Sequence, residues 1–253
     1  MMKQDAEALI AMDSIEFSDC VFAPPARIML PVAGRRSQFP VGRVFCIGRN
    51  YPWESDHQAA PKVPPSWFMK PASAVFSAQG TLPFPTGTQD FCHEIELVVG
   101  IGRGGAHISP SHAEKEHVWG YAVGLDLTRR DLQQHAKKTG GPWEPAKAFD
   151  FSAPCSDIVP LEDCGPVTDN AIWLNVNGMP RQQAKLSDLL FSVSELIALL
   201  SQSVELRPGD LIFSGTPSGV GALNPGDVIQ AGIEKIAEIE MQVGAICATT
   251  ACP

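Results

Sequence analysis

Turn-forming residues interrupt this sequence throughout and limit how long its helices and strands can be. The 253 residues include 22 glycines and 22 prolines, which is high for the length. Glycine and proline favour turns and weaken the interiors of helices and strands, so we expect many turns and short strands. Apolar residues make up 44% of the chain, and a chain of this length can bury a sizeable core without disulfides or a structural metal.

Short apolar runs between these turns predict an α+β, strand-rich chain with about three helices. Asn177 and Gly178 suit a type I′ turn of a β-hairpin. Ser192 and Glu195 have the spacing of a capping box at a helix start. The predicted strands are 41–48, 66–71, 93–102, 119–127, 211–215, 228–232 and 237–244, the predicted hairpin is 171–182, and the predicted helices are 128–138 and 192–204.

The prolines and the change of texture along the chain suggest where its main domain begins. Residues 1–40 contain four prolines and no clear periodicity, so we expect a short, loosely structured N-terminal section. Residues 41–253 are expected to form one main domain.

The charge balance excludes some classes of partner. The formal net charge is −9, which argues against a nucleic-acid binder and disfavours attachment to anionic membranes. No apolar run approaches the roughly 18 residues that span a bilayer, and the N-terminus does not look like a signal peptide. Seven cysteines with no CxxC pair are typical of reduced thiols, so we expect a cytoplasmic location.

Three acidic residues at strand positions are candidates for a metal site. Glu94 and Glu96 lie two residues apart, so on a strand they face the same way and can hold one hard cation. The alternative is a half-exposed strand that presents its acids to water. The apolar run that follows favours an interior strand, where acids must be paired or bound to metal. Asp126 ends another strand, and three carboxylates from two strands suit Mg²⁺ or Mn²⁺.

Several motifs together resemble those of the fumarylacetoacetate hydrolase family, in the family's order from about residue 41 to residue 244. Some runs look most like its fumarylpyruvate hydrolase and acylpyruvase members. The resemblance implies a mixed β roll decorated with a few helices, a homodimer, and a catalytic domain over residues 41–253. The matching motifs are CIGRNY (46–51), FMKP (68–71), HEIELVVGIG (93–102), WGYAVGLDLTRRDLQ (119–133), GGPWEPAKAFDFSAPCSDIVP (140–160), LNVNG (174–178) and PGDLIFSGTPSGVG (208–221).

The same resemblance implies a reaction and a role for particular residues. The expected reaction is metal-dependent C–C hydrolysis of a 2,4-diketo acid, most simply fumarylpyruvate to fumarate and pyruvate in gentisate breakdown. Lys147 would stabilise the charge of an enolate. The implied metal ligands are Glu94, Glu96 and Asp126, and the implied substrate contacts are Arg49, Tyr51, Lys70, Arg130, Gln133 and Thr216.

The chain departs from the family's pattern at the residues that activate water. Hydrolytic members typically read G-R-N-Y-x-x-His-x-x-Glu, whereas without gaps this sequence has Glu54 at the histidine position and His57 at the glutamate position. Alternatively, residues 52–54 are an insertion and His57 is the expected histidine, but then the downstream acid is missing because residue 60 is alanine. Both registers keep His57 as the candidate base, and in the ungapped register Glu54, three residues away, is its candidate partner.

Two other functions remain open at this point. Decarboxylation or tautomerisation of a β-keto acid such as oxaloacetate needs only metal-enolate chemistry, so it would survive an altered His–Glu pair. A non-enzymatic protein that binds a keto acid is the third possibility. All three take a small-molecule partner and neither nucleic acid nor membrane.

Overall fold

The computed structural model of the protein describes residues 20–52 and 62–246, and their strands are short and numerous, as predicted. The helices are α1 Ala113–His117, α2 Arg130–Thr139, α3 Glu144–Lys147, α4 Leu161–Cys164 and α5 Val193–Ser203, with 3-10 turns at Ala72–Ala74 and Leu186–Asp188. The strands are β1 Met29–Pro31, β2 Gln38–Pro40, β3 Val44–Gly48, β4 Ser66–Lys70, β5 Val75–Ser77, β6 Gln79–Phe84, β7 Phe91–His93, β8 Ile95–Ile101, β9 Val118–Leu125, β10 Thr128–Arg129, β11 Ala153–Cys155, β12 Val159–Pro160, β13 Ala171–Val176, β14 Met179–Lys185, β15 Leu211–Phe213, β16 Gly221–Ala222, β17 Val228–Ile233 and β18 Ala237–Ile246.

Two large mixed sheets form the body of the fold. The first has eight strands in the order β4-β3-β15-β8-β9-β11-β5, with β12 also paired to β9. The second has five strands in the order β14-β13-β17-β18-β6. Most pairs are antiparallel, but β3 with β15, β5 with β11 and β6 with β18 are parallel. The strand-rich α+β prediction is therefore confirmed.

The central strand β8 is apolar on both faces because it separates two cores. Leu97 and Val99 pack in the larger core, which also contains residues of β13, β17 and α5. Val98 faces the opposite way, into a smaller core that includes Leu30 and Phe39. A strand buried on both faces reads as a continuous apolar run, which explains the sequence LVV at these positions.

The N-terminal section is more regular than expected where the structure describes it. β1 and β2 pair as a hairpin, with Leu30 opposite Phe39. Both side chains are buried in the smaller core, so residues 29–40 pack on the main body. The division into a leading section (1–40) and a domain (41–253) stays a prediction.

Two local predictions from turn chemistry are confirmed. Asn177 and Gly178 connect β13 to β14 with positive φ angles of 53° and 73°, as a type I′ turn requires. Ser192 and Glu195 form both hydrogen bonds of a capping box at the start of α5.

The buried side chain of Asn50 ties the loop after β3 to two other segments. Its Nδ2 donates to the carbonyl oxygens of Phe191 (3.0 Å) and Ser214 (2.8 Å), and its Oδ1 accepts from the Phe191 N–H (2.8 Å). Arg49 and Tyr51 flank Asn50, so these three bonds fix where both neighbouring side chains lie.

We expect Asn50→Ala to destabilise the protein by about 2–4 kcal/mol, because it leaves three buried backbone groups without partners. Urea unfolding followed by circular dichroism measures the change. Asn224→Ala is the matched control: Asn224 is exposed in a turn, and its replacement should change stability by less than about 0.5 kcal/mol. Equal effects of the two substitutions would contradict the role given to the Asn50 amide.

Candidate metal centre and active site

Three carboxylates meet where two strand ends approach each other. Glu94 sits between β7 and β8, Glu96 lies on β8, and Asp126 directly follows β9. The Asp126 N–H donates to the Glu94 carbonyl oxygen at 2.8 Å, which holds the two backbones together. One carboxylate oxygen from each residue lies within 4.8 Å of the others, and all three residues are buried. The structure therefore brings the three predicted acidic residues together in one buried cluster.

Two buried lysines lie against this cluster. Lys147 Nζ is 2.9 Å from Glu94 Oε2 and 2.7 Å from Asp126 Oδ2. Lys70 Nζ is 2.9 Å from Asp126 Oδ1. Burial acts to lower the pKa of Lys147, but Asp126 and Glu94 raise it above its usual value, so this ammonium stays charged. Arg130 adds a third cation at the edge of the cluster, with its Nη1 3.5 Å from Glu94 Oε1.

The electrostatics of the cluster fit a divalent cation. Burial, followed by the charges of Asp126 and Glu94, raises the pKa of Glu96 well above its usual value. Asp126 Oδ1 is buried and accepts no hydrogen bond among the described residues, in spite of its ionic contact with Lys70. Carboxylate oxygens are the ligands that Mg²⁺ and Mn²⁺ prefer, and a bound cation removes the repulsion that raises the Glu96 pKa.

The cluster lines a cavity of about 470 Å³, and most of the residues expected to touch a substrate line it as well. Apart from the three acids, the predicted residues in the cavity wall come from four places: the loop after β3, helix α2, helix α3 and the loop after β15. The predicted residues that line the cavity are Arg49, Tyr51, Glu94, Glu96, Asp126, Arg130, Gln133, Lys147 and Thr216.

Several of these side chains have a polar group placed for a ligand. Arg130 Nη1 lies 3.5 Å from Glu94 Oε1 and 3.3 Å from Gln133 Oε1, next to the acidic cluster. The hydroxyl of Tyr51 is buried without a hydrogen-bond partner among the described residues, and burial with the charge of Glu96 raises its pKa, so it stays a neutral donor. Arg49 has a φ of 62°, and such backbone strain is often stored at functional sites.

Lys70 is the one predicted substrate contact among the described residues that does not line the cavity, and its contact with substrate stays a prediction. Its side chain is fully buried behind Asp126, and its ammonium also donates to the carbonyl oxygens of Leu127 and Lys147. Two of its N–H groups are thus used on backbone carbonyls, and its charge pairs with Asp126. Lys70 instead supports the carboxylate of Asp126 and the backbone of Lys147.

Thr216 lines the cavity, but its hydroxyl is largely committed to the protein. The Oγ1 donates to the Ile95 carbonyl oxygen at 2.7 Å and accepts from Gln182 Nε2 at 2.8 Å. A hydroxyl has one proton, so this side chain reaches a ligand only as an acceptor.

Gln182 was not foreseen, and its amide clamps the backbone between two of the carboxylates. Its Oε1 accepts from the Ile95 N–H (3.1 Å), and its Nε2 donates to the Pro217 carbonyl oxygen (2.8 Å) and to Thr216. The fully buried side chain comes from β14, in the other sheet. Ile95 lies between Glu94 and Glu96, so the clamp fixes the spacing of both acids and of the cavity wall at residues 216–217.

The clamp also fixes the tautomer of His93. A carbonyl oxygen only accepts, so the bond to Pro217 orients the Gln182 amide with Oε1 toward His93 Nδ1, at 2.9 Å. His93 therefore carries its proton on Nδ1. Burial lowers its pKa, which keeps the ring neutral.

Two further cavity residues, Lys137 and Trp143, were also missed. Lys137 is seven residues after Arg130 and four after Gln133, so the three share one face of α2. That spacing was visible in the sequence and could have found Lys137. Glu54 and His57, the candidate water-activating pair, lie outside the described residues, so their roles stay predictions.

Comparisons with known proteins agree with the family that the motifs resemble. The sequence profile described as fumarylacetoacetate (FAA) hydrolase C-terminal matches residues 43–244. The chain is 42% identical over 178 residues to a fumarylpyruvate hydrolase of a Ralstonia species, covering 70% of this chain and 92% of that protein. It is 38% identical over 204 residues to the mitochondrial oxaloacetate tautomerase of Rattus norvegicus, covering 79% and 90%.

A solved structure confirms the fold that the resemblance implied. The crystal structure of fumarylpyruvate hydrolase from Pseudomonas aeruginosa, in complex with Mn²⁺ and pyruvate, superposes with a TM-score of 0.85 at 43% sequence identity. The match covers 89% of this chain and 99% of that chain.

We expect Glu96→Gln to weaken Mn²⁺ binding at least ~10-fold without lowering the stability of the metal-free protein. The amide cannot supply the negative charge a cation needs, but its oxygen can still accept from the Gly215 N–H, which lies 2.8 Å from Glu96 Oε2. Removing a buried like charge also relieves repulsion. Calorimetric Mn²⁺ titration and metal-free melting curves measure the two effects. A lower melting temperature without metal, or an unchanged Mn²⁺ affinity, would contradict this account.

We expect Gln182→Met to weaken Mn²⁺ binding about 10-fold, because a side chain of similar length can no longer hold Ile95 and Pro217. Gln183→Met is the matched control, since Gln183 is the next residue of β14 and is exposed. Mn²⁺ titration is performed where circular dichroism shows both variants folded. If Gln182→Met lowers the melting temperature but binds Mn²⁺ like the wild type, the clamp only stabilises the fold.

Proposed function

The chain belongs to the fumarylacetoacetate hydrolase family, and we propose that it is a divalent-metal-dependent hydrolase that cleaves a C–C bond in an acylpyruvate. The proposed substrate is fumarylpyruvate, which gives fumarate and pyruvate in the breakdown of gentisate. One observation carries the proposal: three buried carboxylates and the ammonium of Lys147 face the same cavity. The Ralstonia and Pseudomonas hydrolases, of similar sequence, support it.

The proposed metal ligands are Glu94, Glu96 and Asp126. A Mg²⁺ or Mn²⁺ ion held by them supplies Lewis acidity toward the carboxylate and 2-oxo oxygens of a diketo acid. Arg130 and Gln133 lie beside the cluster on one face of α2 and orient the substrate carboxylate by charge and by amide hydrogen bonds. The neutral hydroxyl of Tyr51 is a further donor to the bound ligand.

Lys147 is the proposed stabiliser of the charge that develops during cleavage. Water adds to the distal carbonyl carbon, the C–C bond to the methylene carbon breaks, and the electron pair passes to the enolate of pyruvate. A fixed ammonium near that oxygen stabilises the transition state more than the ground state, because the charge is larger there. Lys147 is held for this task by its contacts with Glu94 and Asp126 and by the bond from Lys70 to its backbone.

The base that activates water is proposed to be His57, oriented by Glu54. Imidazole is the side chain best suited to accept a proton near pH 7. The sequence supports this pair only by its closeness to Tyr51 and by the family motif that it departs from.

A second candidate activity is tautomerisation or decarboxylation of oxaloacetate. The 38% identity to the rat oxaloacetate tautomerase favours it. This chemistry also passes through an enolate next to a cation. It therefore uses the acidic cluster and Lys147 and needs no attacking water.

We also propose a homodimeric, cytoplasmic protein. The five cysteines in the described residues are all free thiols, which supports a reducing compartment. The family resemblance supports the dimer. None of the helices in residues 20–52 and 62–246 has the length and apolarity of a membrane crossing.

The decisive experiment assays purified wild type and His57→Ala with fumarylpyruvate, acetylpyruvate and oxaloacetate, with excess EDTA and with added Mn²⁺. We expect wild-type acylpyruvate cleavage that EDTA abolishes and Mn²⁺ restores. We expect His57→Ala to lose this cleavage by ~100-fold or more, within the usual range for loss of a general base, and to keep Mn²⁺ binding and any oxaloacetate turnover.

Other outcomes distinguish the alternatives. Full activity in EDTA refutes the metal assignment. Wild-type cleavage rates in His57→Ala mean that another group activates water. If the wild type consumes oxaloacetate and no acylpyruvate, the tautomerase or decarboxylase proposal replaces the hydrolase. Binding of a keto acid without any turnover would leave the non-enzymatic function.

A further inference from the structure

The short strands β7 and β10 form an antiparallel ladder that joins the acidic cluster to the start of helix α2. At the inner end of this ladder, the Asp126 N–H donates to the Glu94 carbonyl oxygen at 2.8 Å. At its outer end, the Arg130 N–H donates to the Asp90 carbonyl oxygen at 2.7 Å. The backbone of Arg130 is therefore placed by the same ladder that has two of the proposed metal ligands at its other end.

The side chain of Asp131 ties the outer end of the ladder to the loop that precedes β7. Its Oδ1 accepts from Thr88 Oγ1 at 2.6 Å, and its Oδ2 accepts from the Gln89 N–H at 3.1 Å. The Thr88 hydroxyl also accepts from the Asp90 N–H at 3.1 Å, so the loop is held around this carboxylate. Burial acts to raise the pKa of Asp131, but the hydrogen bonds from Thr88 and Gln89 help to lower it below its usual value, so the carboxylate stays charged.

The acidic cluster and Arg130 depend on different supports. The proposed metal ligands are held by the two buried lysines and by the Gln182 amide. Arg130 directly precedes Asp131 in the first turn of α2, and its guanidinium reaches back to 3.5 Å from Glu94. Neither Asp131 nor Thr88 lines the cavity, whereas Arg130 does. A shift of this first turn therefore moves Arg130 within the cavity and leaves the metal ligands in place.

We propose that Asp131, through its bonds to residues 88–89, is a positioning residue that holds Arg130 where it contacts the carboxylate of a keto acid. The inference rests on the proposed function, in which Arg130 orients that carboxylate. A hydrogen bond between a guanidinium and a carboxylate depends on distance and direction, so a small displacement of the helix start weakens it. Asp131 acts through Arg130 and touches no substrate atom itself.

The test measures two dissociation constants by calorimetry: that of Mn²⁺, and that of pyruvate on the Mn²⁺-loaded protein. Pyruvate has the carboxylate and the 2-oxo group of the proposed substrate and cannot be cleaved in the proposed reaction. We expect Asp131→Ala to weaken pyruvate binding at least ~5-fold, because the hydrogen bonds that fix the helix start are lost. The Mn²⁺ dissociation constant should stay within about twofold, since the metal ligands keep their own supports.

Substitutions of Thr88 test the same contact from the other side. Thr88→Val removes the hydroxyl at nearly constant volume and should weaken pyruvate binding about 3-fold. Thr88→Ser keeps the hydroxyl and should bind pyruvate like the wild type. Thr86→Val is the matched control, because Thr86 is exposed in the same loop and does not line the cavity. Melting curves of all variants check the fold.

A double-mutant cycle tests whether Asp131 acts through Arg130. Arg130→Met alone should weaken pyruvate binding, because the guanidinium is lost. In the Arg130→Met background, Asp131→Ala should weaken pyruvate binding by no more than about twofold further, since two residues that act through one contact are not additive. If the protein cleaves an acylpyruvate, Asp131→Ala in the otherwise unchanged chain should raise KM more than it lowers kcat.

The proposal is overturned if Asp131→Ala binds pyruvate like the wild type, if it weakens Mn²⁺ and pyruvate binding to the same extent, or if its effect adds fully to that of Arg130→Met. Equal losses in Thr88→Ser and Thr88→Val also overturn it. These binding measurements are independent of turnover. A protein that cleaves no acylpyruvate but shows the expected pattern loses the proposed function and keeps the positioning role of Asp131. Cleavage of acylpyruvates without the pattern has the reverse meaning.

Discussion

Burial of three carboxylates within 4.8 Å of one another is the constraint on which the rest of this site depends. Removing each charge from water costs several kcal/mol, and the charges also repel one another. The protein offsets this cost with the ammonium groups of Lys70 and Lys147 and with the Gly215 N–H. Arg130 adds a third cation, 3.5 Å from Glu94, yet burial and the neighbouring acids still raise the pKa of Glu96 well above its usual value. A bound divalent cation would relieve that repulsion.

The geometry of the cluster follows from where the strands end. β7 and β8 belong to different sheets, and Glu94 is the residue between them, so the chain changes sheet at a proposed metal ligand. Gln182 then joins the five-stranded sheet to the same place through the backbone of Ile95. One amide therefore holds both the backbone between Glu94 and Glu96 and the cavity wall near Thr216.

Much of this was predictable from local pattern. The apolar runs predict β3, β4, β8 and β9, and the capping box predicts α5, because each depends on residues close in sequence. The acidic cluster was also predictable, since Glu94 and Glu96 are two residues apart on a strand. The burial of Lys70 was not, because its ammonium is enclosed by residues 56 or more positions away. Gln182 was missed for the same reason: 87 positions separate it from Ile95.

The acidic cluster and Lys147 do not distinguish the two activities that relatives of this chain carry. Cleavage of an acylpyruvate and tautomerisation of oxaloacetate both pass through an enolate that a cation stabilises. They differ in whether a water molecule is activated, so the residue that accepts the proton of water decides between them. In this chain that residue is proposed to be His57, which follows the Arg49–Tyr51 motif, and Glu54 stands where the family's histidine is expected. The fold and the metal ligands are therefore compatible with both reactions, and the choice between them depends on a few residues after β3.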